Sequence, residues 1–133
     1  MKLSTLMIFN AVVAAVFGVA FLLVPDQVGS LYDVEVNEIL TYVVRLLGAE
    51  LIAIACVTWL ARNADDSVAR RAIVLALFIG NAIGFVVALI GQINHVVAAV
   101  GWGNVAIYLL LALGYGYFQF VKPAPKEAPS FGE

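Results

Sequence analysis

Residues 39–60 read ILTYVVRLLGAELIAIACVTWL, an apolar stretch that carries only two charged side chains, Arg45 and Glu50. An α-helix needs about 20 mostly apolar residues to cross roughly 30 Å of hydrocarbon. A stretch of this length and composition is therefore typical of a transmembrane helix. Three other stretches have the same character, and together they predict four spans, at residues 3–24, 39–60, 72–91 and 101–121.

The composition of the whole chain also indicates a membrane protein. Of its 133 residues, 64% are hydrophobic and 12% are charged, whereas soluble domains have roughly 45–50% apolar and about 25% charged residues. A net charge of −2 does not suit a nucleic acid as partner, and one cysteine excludes an internal disulfide and a thiolate zinc site. We expect an all-α protein, an antiparallel four-helix bundle in the membrane over residues 1–121, with a Pro-rich cytoplasmic tail at 122–133.

The first span also has features of a signal peptide. Lys2 precedes it, and Gly18-Val19-Ala20 has the small residues of a cleavage site. The apolar run nevertheless continues through Val24, which makes it long enough to cross the bilayer. We expect the first span to be retained rather than cleaved.

The distribution of Lys and Arg predicts the orientation of the bundle. Residues 25–38 contain four acids and no Lys or Arg, whereas six of the seven cations lie at the other ends of the spans. Because cytoplasmic loops are enriched in Lys and Arg, we expect both termini and residues 61–71 in the cytoplasm, with the protein in a bacterial inner membrane. This asymmetry argues against a dual-topology exporter. The six cations are Lys2, Arg62, Arg70, Arg71, Lys122 and Lys126.

The second span has two distinct faces when it is drawn as a helix with 100° per residue. One arc of about 140° holds small and polar residues, and the opposite face is more apolar. Helices in membranes pack through small and polar residues, so we expect the first arc to point into the bundle and the second to face lipid. The first arc, here called the polar stripe, comprises Tyr42, Arg45, Ala49, Glu50, Ala53 and Cys56; the opposite face comprises Leu40, Val44, Leu47, Leu51, Ile54 and Thr58.

Small residues in three spans are candidates for close helix contacts. Gly80 and Gly84 form a G-x-x-x-G step in the third span, a spacing that lets two helix backbones approach each other. Ala14 and Gly18 in the first span and Gly48 in the second are further candidates.

Arg45 and Glu50 are the main candidates for an intramembrane site. A charge at the bilayer centre costs at least about 2.5–3.5 kcal/mol, so such residues are usually functional or paired. One interpretation is structural: Arg45 bonds Tyr42 or Asn104, and Glu50 is protonated or bonded to Asn81. The other interpretation is a transport or ligand site. The chain contains none of the common catalytic or nucleotide-binding motifs, so we predict no catalytic residue, metal or cofactor.

The chain resembles a group of short bacterial four-helix membrane proteins that are broadly DoxX-like. The resemblance rests on Leu31-Tyr32 through Arg45-Leu46-Leu47-Gly48-Ala49-Glu50, on Gly80-Asn81-Ala82-Ile83-Gly84, and on the aromatic-rich fourth span. It extends over nearly the whole chain. DoxX is associated with quinone-linked thiosulfate oxidation, so the resemblance implies a redox component in which Arg45, Tyr42 and Asn104 would line a quinone head-group pocket.

Three functions are therefore open. The first is a non-enzymatic accessory or structural subunit of a larger membrane complex, with the lipid bilayer and other membrane subunits or further copies as partners. The short loops of the chain and the small residues on its helix faces favour this function. The second is a small proton-coupled carrier or channel, with Glu50 as the proton site and Arg45 as an anion site. The third is the DoxX-like redox component.

Overall fold

The computed structural model describes residues 1–122, and the regular structure in this range is entirely helical. Four helices are long and apolar enough to cross a membrane, which confirms the predicted all-α, four-span fold. All but Lys122 of the predicted tail at 122–133 lies outside the described residues. The helices are α1 (Leu3–Leu23), α2 (Pro25–Leu31), α3 (Glu38–Ala61), α4 (Val68–Ile93) and α5 (Gly101–Gly116), and α5 continues as a π-helix over Tyr117–Val121.

Local side-chain chemistry accounts for the ends of the helices. Pro25 is the first residue of α2, a position where its missing N–H costs no helical hydrogen bond. The Asn37 side chain caps α3 by accepting a 2.8 Å hydrogen bond from the backbone N–H of Leu40. Ser67 caps α4 in the same way, at 3.1 Å from the backbone nitrogen of Arg70. These caps satisfy N–H groups that the first turn of a helix leaves unpaired.

The four long helices form two hairpins, α1 with α3 and α4 with α5. In the first hairpin, a Cβ atom added at Gly48 would lie 2.9 Å from the carbonyl oxygen of Gly18. In the second, a Cβ atom added at Gly84 would lie 2.5 Å from Cε1 of Tyr108. Both distances are too short for a side chain, so these glycines permit the close approach. Gly18, Gly48 and Gly84 thus lie where the helices approach each other, and Ala14 is buried.

Gly80 does not lie at a helix contact, so that prediction was wrong. The residue is exposed, and a Cβ atom added to it would meet nothing within 4 Å. The ring of Tyr108 packs on α4 at Gly84, whereas one turn away Gly80 borders a cavity between the hairpins. Of the two glycines in the G-x-x-x-G step, Gly84 lies at a helix contact and Gly80 does not.

The two hairpins are joined at both ends of the molecule. Near the N-terminus, a buried core combines residues of all four long helices. At the other end, the backbone N–H of Ala98 donates to the carbonyl of Tyr32 at 3.0 Å, and the Tyr32 hydroxyl donates to Oδ1 of Asn104 at 2.9 Å. Between these ends α3 and α4 do not form a packed pair, which leaves a cleft between them. The core residues near the N-terminus are Leu6, Met7, Ala61, Val74, Leu111 and Tyr115.

Candidate functional site

The polar stripe of α3 lies on the outside of the bundle. All six of its residues are exposed, and Tyr42 keeps 65% of its surface accessible. The prediction that the stripe points into the bundle was therefore wrong. The buried residues of α3 lie on another side of the helix: Gly48, Ala55, Thr58 and Ala61.

Two local features explain this rotation of α3. The close approach to α1 takes place at Gly48, which lies about 100° around the helix from Ala49, on the side away from Ala53. Thr58 was expected to face lipid, yet it is fully buried. Its hydroxyl donates to the carbonyl of Ile54 at 2.8 Å, so its own helix satisfies the polar group. Hydrogen bonds of this kind let Thr occupy an apolar contact.

Arg45 and Glu50 have no partner within the described part of the chain. Among residues 1–122, neither side chain forms a hydrogen bond or an ion pair. Among these residues, the ion pair that is present lies at the start of α4, where Arg71 binds Asp66 at 2.9 Å. The hydrogen bond from Arg71 lowers the pKa of the Asp66 carboxyl group.

The amides that were expected to pair with Arg45 and Glu50 are engaged elsewhere. Oδ1 of Asn104 accepts the hydrogen bond from Tyr32. Nδ2 of Asn81 donates to the carbonyl of Leu77, one turn earlier in α4, at 2.7 Å. The predicted contacts of Arg45 with Asn104 and of Glu50 with Asn81 were therefore wrong. Both charged side chains of α3 are exposed instead.

A cavity of about 510 Å³ lies inside the bundle, and residues of all four long helices line it. The walls on α1 and α3 are mainly apolar, and the wall on α4 and α5 carries Asn81, Asn104 and Tyr108. Asn10 also lines the cavity, and its Nδ2 donates to the Tyr115 hydroxyl at 2.9 Å. None of the residues that line the cavity within the described range 1–122 is charged. Residues of the apolar wall include Val13, Phe17, Phe21, Leu47, Leu51 and Ile54.

The cavity brings together only two of the five polar side chains that were predicted as intramembrane candidates. Asn81 and Asn104 line it, whereas Tyr42, Arg45 and Glu50 do not. Sequence reasoning did not assign Asn10 or Tyr108 to the site. The signal that could have pointed to them is the presence of two more hydrogen-bonding side chains within apolar spans, where each such group needs a partner.

The acidic segment before α3 does not form a metal centre. Within the described range, no three His, Cys, Asp or Glu residues lie close enough to hold a metal ion. Asp26, Asp33 and Glu35 border a shallow surface depression instead.

Comparison with known proteins identifies a family. No curated protein and no solved structure matches the chain, and the resemblance to DoxX stays an expectation. A family model described as a domain of unknown function, DUF8292, matches residues 8–122. The match includes nearly all of α1 and every later helix, so the chain belongs to the DUF8292 family.

Proposed function

We propose that this protein is a non-enzymatic structural subunit of a membrane assembly, and that the assembly starts from two copies joined through the polar stripe of α3. The exposure of Arg45 and Glu50 carries the proposal. From Glu38, the first residue of α3, Arg45 lies about 10 Å and Glu50 about 18 Å along the helix axis at 1.5 Å per residue. A charge at such depth is costly against lipid, so a protein partner is favoured.

The positions of the two charges suit a second copy of the same chain. Arg45 and Glu50 are about 140° apart around α3, and Tyr42 and Ala53 lie between them. Arg45 therefore flanks one side of the exposed face and Glu50 the other. In a dimer whose two-fold axis runs along the membrane normal, each patch meets its own copy. The Arg45 flank of one α3 then faces the Glu50 flank of the other, on both sides of the interface.

The distances along the helix allow this pairing. Arg45 and Glu50 differ in depth by about 7.5 Å, which the long Arg side chain and the Glu side chain can bridge together. Interhelical pairs of this kind at flanking positions determine partner choice in coiled coils. Two copies would neutralise two Arg and two Glu side chains at once, with no charge left against lipid.

Small residues at the centre of the exposed face further support the dimer. Ala49 and Ala53 are four residues apart and both are exposed. This small-x-x-x-small spacing permits two membrane helices to approach closely. Within the chain, α3 uses a different small residue, Gly48, to contact α1, so Ala49 and Ala53 remain available for a second helix.

The other two functions have less support. A carrier with Glu50 and Arg45 along its path would need both side chains at the cavity, and neither lines it. In the DoxX-like hypothesis, Arg45, Tyr42 and Asn104 line one pocket, but only Asn104 borders the cavity. The subunit proposal accounts for the position of both charged side chains on the exposed side of α3.

The test is a charge exchange measured by mass. The purified protein in mild detergent, and again in lipid nanodiscs, is expected to have twice the chain mass of 14.2 kDa. Arg45→Glu and Glu50→Arg should each yield monomers, because each single change places like charges opposite one another. The double variant has the wild-type composition and should restore the dimer. A monomeric wild-type protein, or a double variant no better than the single ones, would contradict the proposal.

A further inference from the structure

The cavity between the two hairpins opens sideways, at the depth of the hydrocarbon core. Ala76 and Gly80 on α4 line it and are exposed, as are Leu47, Ile54 and Val57 on α3. These residues form the two edges of the opening. The volume of about 510 Å³ lies within the range of about 300–1,000 Å³ that is typical of small-molecule sites. A molecule dissolved in the bilayer could enter without passing through water.

One wall of the cavity holds polar atoms that lack a partner within residues 1–122. Asn81 is 8% exposed, and its Nδ2 is bound to the carbonyl of Leu77, whereas its Oδ1 accepts no hydrogen bond from the described residues. The Tyr108 hydroxyl also has no hydrogen-bond partner in this part of the chain. Asn104 accepts from Tyr32 through Oδ1, and its Nδ2 group donates to no group within residues 1–122. The wall therefore offers a ligand one acceptor, Oδ1 of Asn81, one donor, Nδ2 of Asn104, and the hydroxyl group of Tyr108.

These side chains are held in place before any ligand arrives. The bond to Leu77 fixes the amide plane of Asn81, and the bond from Tyr32 fixes that of Asn104. The ring of Tyr108 packs directly on Gly84, where a Cβ atom would lie 2.5 Å from Cε1 of the ring. Polar groups that face an apolar cavity without partners are unfavourable, so a ligand that bonds to them gains affinity relative to plain hydrocarbon.

The geometry points to a binding site for an uncharged membrane lipophile with a small hydroxyl- or carbonyl-bearing head group. The head group would bond to Asn81, Asn104 and Tyr108, and the apolar body would lie against the α1 and α3 wall around Phe17 and Leu51. In the described part of the chain no cation lines the cavity, so a phosphate or carboxylate head would be left unpaired in a low dielectric. The residues that would bind the head group belong to α4 and α5, whereas the proposed dimer forms through the polar stripe of α3.

The first test compares two probes that differ by one phosphate. Radiolabelled monoolein has a glycerol head and one acyl chain, and 1-oleoyl-lysophosphatidate is its phosphorylated counterpart. Monoolein is expected to bind the purified protein saturably, with one molecule per chain, and at least about tenfold more tightly than the phosphate, a ratio that corresponds to about 1.4 kcal/mol. Non-saturable binding, or equal affinity for the two probes, would overturn the inference.

The second test closes the opening. Gly80→Phe adds a ring at a cavity-lining position where a Cβ atom meets nothing within 4 Å, so the backbone should not be disturbed. Gly91→Phe is the matched control, since Gly91 is equally open and does not line the cavity. Gly80→Phe should abolish monoolein binding and Gly91→Phe should preserve it. Asn81→Leu should reduce monoolein affinity about tenfold through loss of the acceptor.

The same variants separate this inference from the proposed dimer. A Gly80→Phe protein that stays dimeric and no longer binds monoolein supports the site. Monoolein binding that persists in Gly80→Phe would overturn it. A wild-type protein that binds no monoolein, together with a Gly80→Phe variant that dissociates into monomers, would mean that a second protein copy fills the cavity. That outcome would overturn the ligand site, and it would place the contact between copies at the cavity rather than at the polar stripe of α3.

Discussion

The amide of Asn10 donates a 2.9 Å hydrogen bond to the hydroxyl of Tyr115 and thereby ties α1 to α5 inside the bundle. Asn10 is 4% exposed and Tyr115 is fully buried, among the apolar side chains of Leu6, Met7 and Leu111. The bond links the two hairpins near the end where their helices converge. It therefore helps to hold the two hairpins together at the end that contains the N-terminus, beside the cleft between α3 and α4.

Loss of this bond should destabilise the protein. Tyr115→Phe removes the acceptor and leaves the buried Asn10 amide without a partner, which should lower the free energy of unfolding by about 1–3 kcal/mol. Thermal unfolding of the purified protein in detergent would measure the change. Tyr117→Phe is the control, because Tyr117 is 47% exposed and has no hydrogen-bonded hydroxyl among the described residues. Equal stability of the two variants would show that the bond contributes little.

Replacement of both partners should be milder than replacement of one. Asn10→Leu combined with Tyr115→Phe leaves no unpaired polar group at either of these two positions, and such double replacements can be nearly neutral. The double variant is therefore expected to be more stable than Tyr115→Phe alone in the same unfolding measurement. A double variant that loses the sum of both single effects would indicate that packing, rather than hydrogen bonding, dominates at this position.

The glycines of the two hairpins should respond unequally to substitution. Gly48→Ala places a Cβ atom 2.9 Å from the carbonyl oxygen of Gly18, so α1 and α3 must move apart and stability should fall. Gly80→Ala meets nothing within 4 Å and should be neutral or slightly stabilising, since Ala favours helix over Gly. Thermal unfolding of the two variants and the wild-type protein measures the change in stability that each substitution causes. Equal losses would contradict the arrangement of the hairpins.

The predicted orientation can be tested with cysteines in a Cys56→Ala background. Ser30 and Asn63 are both exposed. Ser30 lies in the connection before α3 and Asn63 in the connection after it, so the two positions are at opposite ends of this helix. If the Lys and Arg asymmetry determines topology, Ser30→Cys should react with an impermeant maleimide from outside the cell. Asn63→Cys should react only after the membrane is opened. Labelling of both positions from the same side would contradict the four-span topology.

Hydropathy and local patterns predict much of this fold because they depend on neighbouring residues. The four spans follow from apolar length alone, as the agreement of residues 101–121 with the helix Gly101–Val121 illustrates. The contact roles of Gly18, Gly48 and Gly84 follow from the rarity of side chains small enough for close helix approach. The short helix α2 was not predicted, because its seven residues are too few to show a helical repeat.

The rotation of α3 could not be predicted in the same way. The rule that polar residues face the interior assumes that all their partners lie within one chain, and Arg45 and Glu50 have no partner within residues 1–122. The prediction that Thr58 faces lipid was wrong because its hydroxyl donates to a carbonyl of its own helix and needs no polar surroundings. The cavity depends on how far α3 and α4 diverge between the joined ends, a tertiary property that no local pattern encodes.

Disulfide trapping of α3 in native membranes tests the central claim most directly. Ala53 is exposed near the middle of the face between Arg45 and Glu50, so Ala53→Cys in a Cys56→Ala background should form a covalent dimer on mild oxidation. Leu113→Cys in the same background is the control, since Leu113 is 63% exposed on α5 at a similar depth and should remain monomeric. A covalent dimer for Ala53→Cys alone is the predicted result. A monomeric Ala53→Cys protein, or equal cross-linking at Leu113→Cys, would contradict assembly through the polar stripe.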